Sequence, residues 1–315
     1  MTNGVAPPED NPDQGVAWHY GDPLREQRWL VDGTGVVDLA NRGLLRVAGE
    51  DRLTWLHALT TQHLEKLAPH QSSTALILDP QGHVEFELHL IDDGSATWLI
   101  CQPGQADGLR AYLESMRFML RVDVVDEGDD YAVLWSAAPL SDLAWSPPQA
   151  FRDRGWMGFE SILTRQAYEQ ALMQAAHRCG TWALEALRVA AGAPRIGLET
   201  DHRTIPNEVD WLNTAVHLQK GCYRGQETVA KVHNLGRPPR RLELLLLDGS
   251  AEQPPKHGDA VLFDGREVGF IGTGVQHYEL GPIASAIIKR SVPPDAPLVI
   301  RTADGDLPAH QDSRL

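Results

Sequence analysis

Residues 220–227 read Lys220-Gly221-Cys222-Tyr223-Arg224-Gly225-Gln226-Glu227. Two glycines bracket a cysteine and a tyrosine, and a cation stands two positions to either side of the sulfur. Glycine opens backbone conformations closed to other residues and leaves a neighbouring sulfur less covered. Nearby Lys and Arg charges favour the thiolate, the form of cysteine that attacks electrophiles and ligates metals. The stretch therefore predicts a reactive or ligating thiol at Cys222. The competing account is a buried structural cysteine between two turn glycines, because free cysteine is among the most buried residue types.

The surrounding chain has 315 residues, with 28 Lys+Arg against 43 Asp+Glu and a formal net charge of −15. At roughly 150 residues per domain, this length suggests two domains and allows a large core. Hydrophobic residues make up 42 % and charged residues 23 %. That is ordinary globular usage and excludes a wholly disordered chain. No run approaches the ~18 apolar residues of a membrane span. The acidic balance disfavours nucleic acid or an anionic membrane as the main partner. The first fifteen residues are acidic and Pro-bearing with no Lys or Arg, unlike a secretory signal or transit peptide. The three cysteines, Cys101, Cys179 and Cys222, form no CxxC pair, so no resident metal cage is expected. Sparse cysteine suits a reducing compartment, and a cytoplasmic location is expected.

Working outward along the chain, residues 1–20 read as a mobile tail without periodicity. Short strands are expected at 36–38, 44–47, 74–78, 98–101, 122–125 and 132–135. A helix begins after Asp51 with Leu53, Leu56 and Leu59 on one face. The clearest period-two segment follows the turn Asp79-Pro80-Gln81-Gly82, where Val84, Phe86, Leu88 and Leu90 alternate with His83, Glu85, Glu87 and His89. Further helices are expected at 105–120, 165–177 and 182–191, with Gly180 capping the second of these three and a loop over 141–150. Beyond Arg240 the texture changes to close strands at 242–247, 260–263, 267–271, 284–288 and 298–301, parted by Asp-Gly, Gly-Pro and Pro-Pro turns. Such spacing without helices indicates a small barrel or sandwich. The fold class is therefore α+β, with an α+β region over 21–238, split near 135–150, and a β-barrel over 239–315.

The run Lys-Gly-Cys-Tyr-x-Gly-Gln-Glu resembles the signature of the YgfZ family of folate-binding proteins, relatives of the glycine-cleavage aminomethyltransferase (T-protein). Ala186-Leu187-Arg188-Val189-Ala190-Ala191-Gly192, Ile205-Pro206-Asn207-Glu208, Val229-Ala230-Lys231 and Arg240-Arg241 are similar to further family segments in the same order. Val37-Asp38-Leu39 and Val47-Ala48-Gly49-Glu50-Asp51 look like the start of the T-protein fold. The resemblance covers most of the chain from about Val36 to Arg290. It implies three modules around a central channel that holds tetrahydrofolate or another reduced folate. It further implies a role in iron–sulfur cluster assembly or repair, with iron–sulfur proteins or assembly factors as transient partners.

The family pattern assigns the reactive motif to Lys220, Gly221, Cys222, Tyr223, Gly225, Gln226 and Glu227. Folate contacts fall on Arg188 for the glutamate carboxylates, Glu208 for the pterin amino group and Glu85 in the hairpin. One departure stands out. T-proteins continue the Gly82 hairpin into an Asp-Asp pair, whereas here Glu85-Phe86-Glu87 follows, which counts against retained aminomethyl transfer. The plain alternative for Glu85 and Glu87 is the solvated face of an alternating strand. A folate-dependent aminomethyltransferase and a scaffold without ligand remain as rivals. His217 and His233 flank Cys222 at spacings open to a Cys–His pair. Lys231, Arg237, Arg240 and Arg241 form a basic stretch that reads as a solvated connector or an anion contact.

Overall fold

The computed structural model describes residues 4–249 and 253–312. Two five-stranded sheets and a closed six-stranded barrel organise it. The first sheet runs His177–Cys179, Gly35–Asp38, Tyr131–Ser136, Phe159–Thr164, Ala144–Trp145. The second runs Ser72–Leu78, Val84–Asp92, Ala96–Cys101, Gly43–Ala48, Asp123–Asp126 and is antiparallel throughout. The helices Arg52–Leu59 and Ala106–Ser115 cover one face of the second sheet, where Leu45, Leu88, Leu90 and Leu99 meet Leu56, Leu109 and Leu113. On the other face Leu44, Ile91, Trp98 and Ile100 join Val37, Val133 and Trp135 of the first sheet. Both faces are thus buried, so the sheet behaves as a central layer.

The barrel closes in the order Arg240–Leu247, Gly281–Lys289, Arg266–His277, Ala260–Phe263, Leu298–Thr302, Gly305–Gln311. The last strand is not among those expected: its apolar signal is confined to Leu307 and Ala309, buried on either side of the exposed Pro308. Helix Thr181–Ala190 wedges between barrel and body, where Ala186 and Val189 meet Leu244, Val275 and Ile283.

Several expectations change. The body does not divide near 135–150, because Tyr131–Ser136 pairs with both Gly35–Asp38 and Phe159–Thr164. One module therefore takes strands from both ends of the region, and the second sheet is inserted between them. Residues 4–20 are not a mobile tail: Asp13 is 1 % exposed, Val5 bridges His19, and Trp18 stacks on Trp182. The segment lacks periodicity because it is held by a few specific contacts and not by a regular apolar face. Gly180 stands at the start of helix Thr181–Ala190, not at the end of Arg165–Gln174. A Cβ there would lie 2.2 Å from the Trp18 carbonyl oxygen, so the N-terminal segment accounts for that glycine. Among the described residues, no helix is long and apolar enough to cross a membrane.

Candidate functional site

Where the two sheets, helix Thr181–Ala190 and the following loop converge, they leave a small cavity of about 40 Å³ that opens towards solvent. Trp145, Phe151, Trp156 and Trp211 form its aromatic walls, and Glu87, His89, Glu160, Glu185, Arg42, Arg188 and Arg195 its charged lining. Strand Val84–Asp92 supplies Glu87 and His89 by the period-two rule: with Leu88 and Leu90 turned to the helices, their neighbours face the cavity. The expectation of a solvated face is corrected for Glu87, which is 6 % exposed.

Apart from Arg42, the cationic side chains of this cavity are ion-paired across the fold. His89 stacks on Trp145 with ring centroids 3.5 Å apart, its Nδ1 lies 2.8 Å from Glu160 Oε2 and its Nε2 3.7 Å from Glu87 Oε1. Burial acts to lower the His89 pKa, but Glu160 and Glu87 override it and hold it at about 9, so the ring is an imidazolium at neutral pH. Arg195 donates to both Asp13 oxygens at 2.6 and 2.8 Å and lies 3.2 Å from Glu185. Burial acts to raise the Asp13 carboxyl, yet Arg195 keeps it down at about 2.

Arg188 departs from its expected role. It is 4 % exposed, and Glu185, Glu199, Thr273 and the Ala193 carbonyl take its donors. A guanidinium so saturated has no N–H left for a folate carboxylate. Glu208 departs in the same way: Arg240 donates to both of its oxygens at 2.8 and 2.9 Å, and the Ile205 N–H adds a third bond. Arg240 also pairs with Asp201, and Arg241 with Glu243, so half of the supposed solvated connector is paired structure. Glu85 is exposed and meets Arg224 at 3.3 Å. The hairpin carboxylate that faces the cavity is Glu87, two residues further on.

The motif around Cys222 lies apart from the cavity lining. Cys222 is exposed, whereas Cys101 and Cys179 are buried with thiols pushed up to about 12 by desolvation. The flanking cations do not serve the sulfur as expected. Lys220 turns inward, its three donors taken by the carbonyls of His57, Thr60 and Gln62, and burial lowers its pKa to about 8. Arg224 is drawn to Glu85 and the Tyr112 ring. Tyr223 is the anchor, 7 % exposed among Leu76, Leu78, Val84 and Val229. Gln226 and Glu227 open helix Gln226–Leu235, half-buried and exposed respectively. The His217 ring lies against His63, with centroids 5.3 Å apart.

The two motif glycines do different things. Gly225 has φ +79°, and a Cβ there would lie 2.6 Å from the Asp79 carbonyl oxygen and 2.8 Å from Gly82 Cα. It locks the motif onto the hairpin that delivers Glu87. Gly221 meets nothing within 4 Å and needs no left-handed backbone, so its missing side chain only leaves the approach to Cys222 open. Gly225→Ala is expected to cost about 2–3 kcal/mol of stability through the strained conformation and clash. Gly221→Ala is expected to stay within about 0.5 kcal/mol. Denaturant unfolding of both variants checks this, and equal losses would contradict it.

Among the described residues, His57, His63 and Glu65 bring possible metal-ligand atoms within 4.8 Å of one another. His57 Nδ1 already accepts the Leu64 N–H at 3.2 Å, which leaves its neutral ring without a second lone pair. Sequence reasoning missed His89, Glu160, Arg42, Arg195 and Asp13. Only His89 carried a signal, as the polar partner of Leu88 and Leu90 in the alternating strand; the others come together solely through the fold.

No protein-family model matches the chain. It is similar in structure to the glycine cleavage system aminomethyltransferase T of Bartonella henselae, with a TM-score of 0.81 over 98 % of this chain and 93 % of that one, at 17 % identity. The chain therefore has the aminomethyltransferase T fold, as the sequence led one to expect. In sequence it is 26 % identical over 288 residues to a putative chloroplastic transferase of Arabidopsis thaliana, covering 80 % of this chain and 66 % of that relative's length. It is also similar to aminomethyltransferases of Synechococcus sp. (strain CC9902), 24 % identical over 306 residues, and Geobacillus kaustophilus, 26 % over 295. Those two alignments cover 84 % and 82 % of this chain, and 82 % and 80 % of the relatives.

Proposed function

We propose that the protein binds a reduced folate, tetrahydrofolate or a close derivative, in the cavity walled by Trp145, Trp156 and Trp211. Cys222 then acts in transient contact with a partner in iron–sulfur cluster assembly or repair. The observation that carries the ligand assignment is the joint presence of aromatic walls and the buried Glu87 carboxylate in one cavity. A pterin offers flat faces for stacking and paired N–H donors that fit a carboxylate. The aminomethyltransferase T fold and the motif resemblance support the same reading. Because one thiolate cannot hold a cluster alone, Cys222 suits transient ligation and not storage. Isothermal titration with tetrahydrofolate tests the assignment. Saturable binding by the intact chain, weakened about tenfold or more by Glu87→Gln, is expected. Absence of binding overturns it.

A second reading, one-carbon transfer to folate, is favoured by the names of the relatives and by the carboxylate of Glu87 in the cavity. The longer side chain opposes it, since misplacement by ~1 Å costs about 100-fold in rate. An assay of aminomethyl transfer to tetrahydrofolate separates the two readings.

A further inference from the structure

Glu87 and His89 stand side by side in the cavity with hydrogen-bonding capacity left over. Among the described residues, the Glu87 carboxylate meets only the Ile196 N–H, at 3.5 Å, and the His89 ring. The neighbouring acids are more fully engaged: Glu160 accepts from His89 at 2.8 Å, and Glu185 holds Arg188 and Arg195. His89 is buried, yet Glu160 and Glu87 keep it protonated at neutral pH, so both ring nitrogens are donors. Nδ1–H is committed to Glu160. Nε2 lies 3.7 Å from Glu87 Oε1, beyond hydrogen-bond length, so its N–H is unspent. The ring is also fixed in orientation. It lies flat on Trp145, with 2° between the planes, and the indole N–H is tied to Thr74 Oγ1 at 3.2 Å. The cavity therefore holds two acceptor oxygens and one cationic donor next to one another.

We infer that His89 is a specificity-determining residue, which together with Glu87 selects a ligand edge carrying two N–H donors followed by a carbonyl oxygen. The inference rests on the folate reading and deepens it, because a 4-oxo pterin has that edge. Its 2-amino N–H and N3–H suit the Glu87 oxygens, and its O4 suits the His89 Nε2–H. In the 4-amino analogue the oxygen is replaced by NH2, and the adjacent ring nitrogen carries no proton. A donor then faces the His89 donor, and Glu87 loses one of its two N–H partners. In a site shielded from water, unmade bonds to charged groups cost affinity that no solvent contact restores.

The test titrates tetrahydrofolate and its 4-amino analogue into the unmodified chain, His89→Asn and His89→Gln. An Asn amide can replace Nδ1–H towards Glu160 but not Nε2–H, whereas a Gln amide can reach the Nε2 place. The unmodified chain is expected to prefer the 4-oxo ligand about 10- to 100-fold. His89→Asn is expected to bring that preference to near unity, and His89→Gln to retain part of it. A role confined to holding Glu160 predicts the reverse order of the two variants. An unchanged preference in His89→Asn overturns the assignment. Equal affinity of the unmodified chain for the two ligands also overturns it, whether or not either variant folds. Binding of neither ligand to the unmodified chain removes the folate reading and this inference with it, a result distinct from binding without discrimination.

Discussion

Arg188→Met is expected to destabilise the protein by about 3–5 kcal/mol at neutral pH, among the largest losses available to one substitution here. The cause is not the missing packing, since Met fills a similar volume, but the carboxylates left behind. Glu185 and Glu199 are 4 % and 0 % exposed, and Arg188 is the guanidinium that both contact. In the native protein burial acts to raise the Glu199 pKa, but Arg188 and the hydroxyls of Ser285 and Thr273 hold it below the usual carboxylate range. Its contribution to stability is therefore present at neutral pH and lost only as pH falls through that depressed value. In the variant the burial effect is unopposed by Arg188, so the folded-state pKa rises above the unfolded one. Stability is then lost as pH rises through the raised value and recovered in mild acid. Denaturant unfolding between about pH 4.5 and 7 reads this directly. A loss independent of pH would show that packing, not charge, explains the role of Arg188.

Cys222→Ala is expected to separate fold from function. The side chain is exposed, a Cβ at its neighbour Gly221 would meet nothing within 4 Å, and neither Lys220 nor Arg224 depends on the sulfur for its bonds. Stability should change by no more than about 0.5 kcal/mol, and tetrahydrofolate affinity should not change, because the thiol lies outside the cavity lining. Support of iron–sulfur enzymes in cells that rely on this protein should be abolished. Full activity of such enzymes with the Ala variant would remove Cys222 from the account while leaving the folate assignment intact.

The barrel and the second sheet were readable because their strands alternate or cluster between Asp-Gly and Pro-bearing turns. The strands Phe159–Thr164 and His177–Cys179 carry no such signal, and Ala144–Trp145 lies in a Pro- and Ser-bearing stretch whose composition predicts a loop. The motif was readable as a motif, but the reading of its charges was not. Lys220 and Arg224 stand near Cys222 in sequence, yet carbonyls 160 residues away and Glu85 claim them in space. The same holds for Arg188 and Glu208, whose residue types suit a ligand and whose donors and acceptors are already used inside the protein. The cavity itself was invisible, because Asp13, Arg42, Glu87, Glu160 and Arg195 belong to five separate segments. Sequence spacing indicates which residues can act, and only burial and pairing show which are still free to do so.

The central claim, that the cavity is a folate site, is tested most directly by a crystal structure of the protein grown with tetrahydrofolate. The account predicts density for the pterin inside the cavity, within hydrogen-bond reach of the Glu87 carboxylate and flanked by tryptophan. Folate bound elsewhere, for instance in the groove lined by Arg237 and Arg290, with the Glu87 cavity left unchanged, would contradict it.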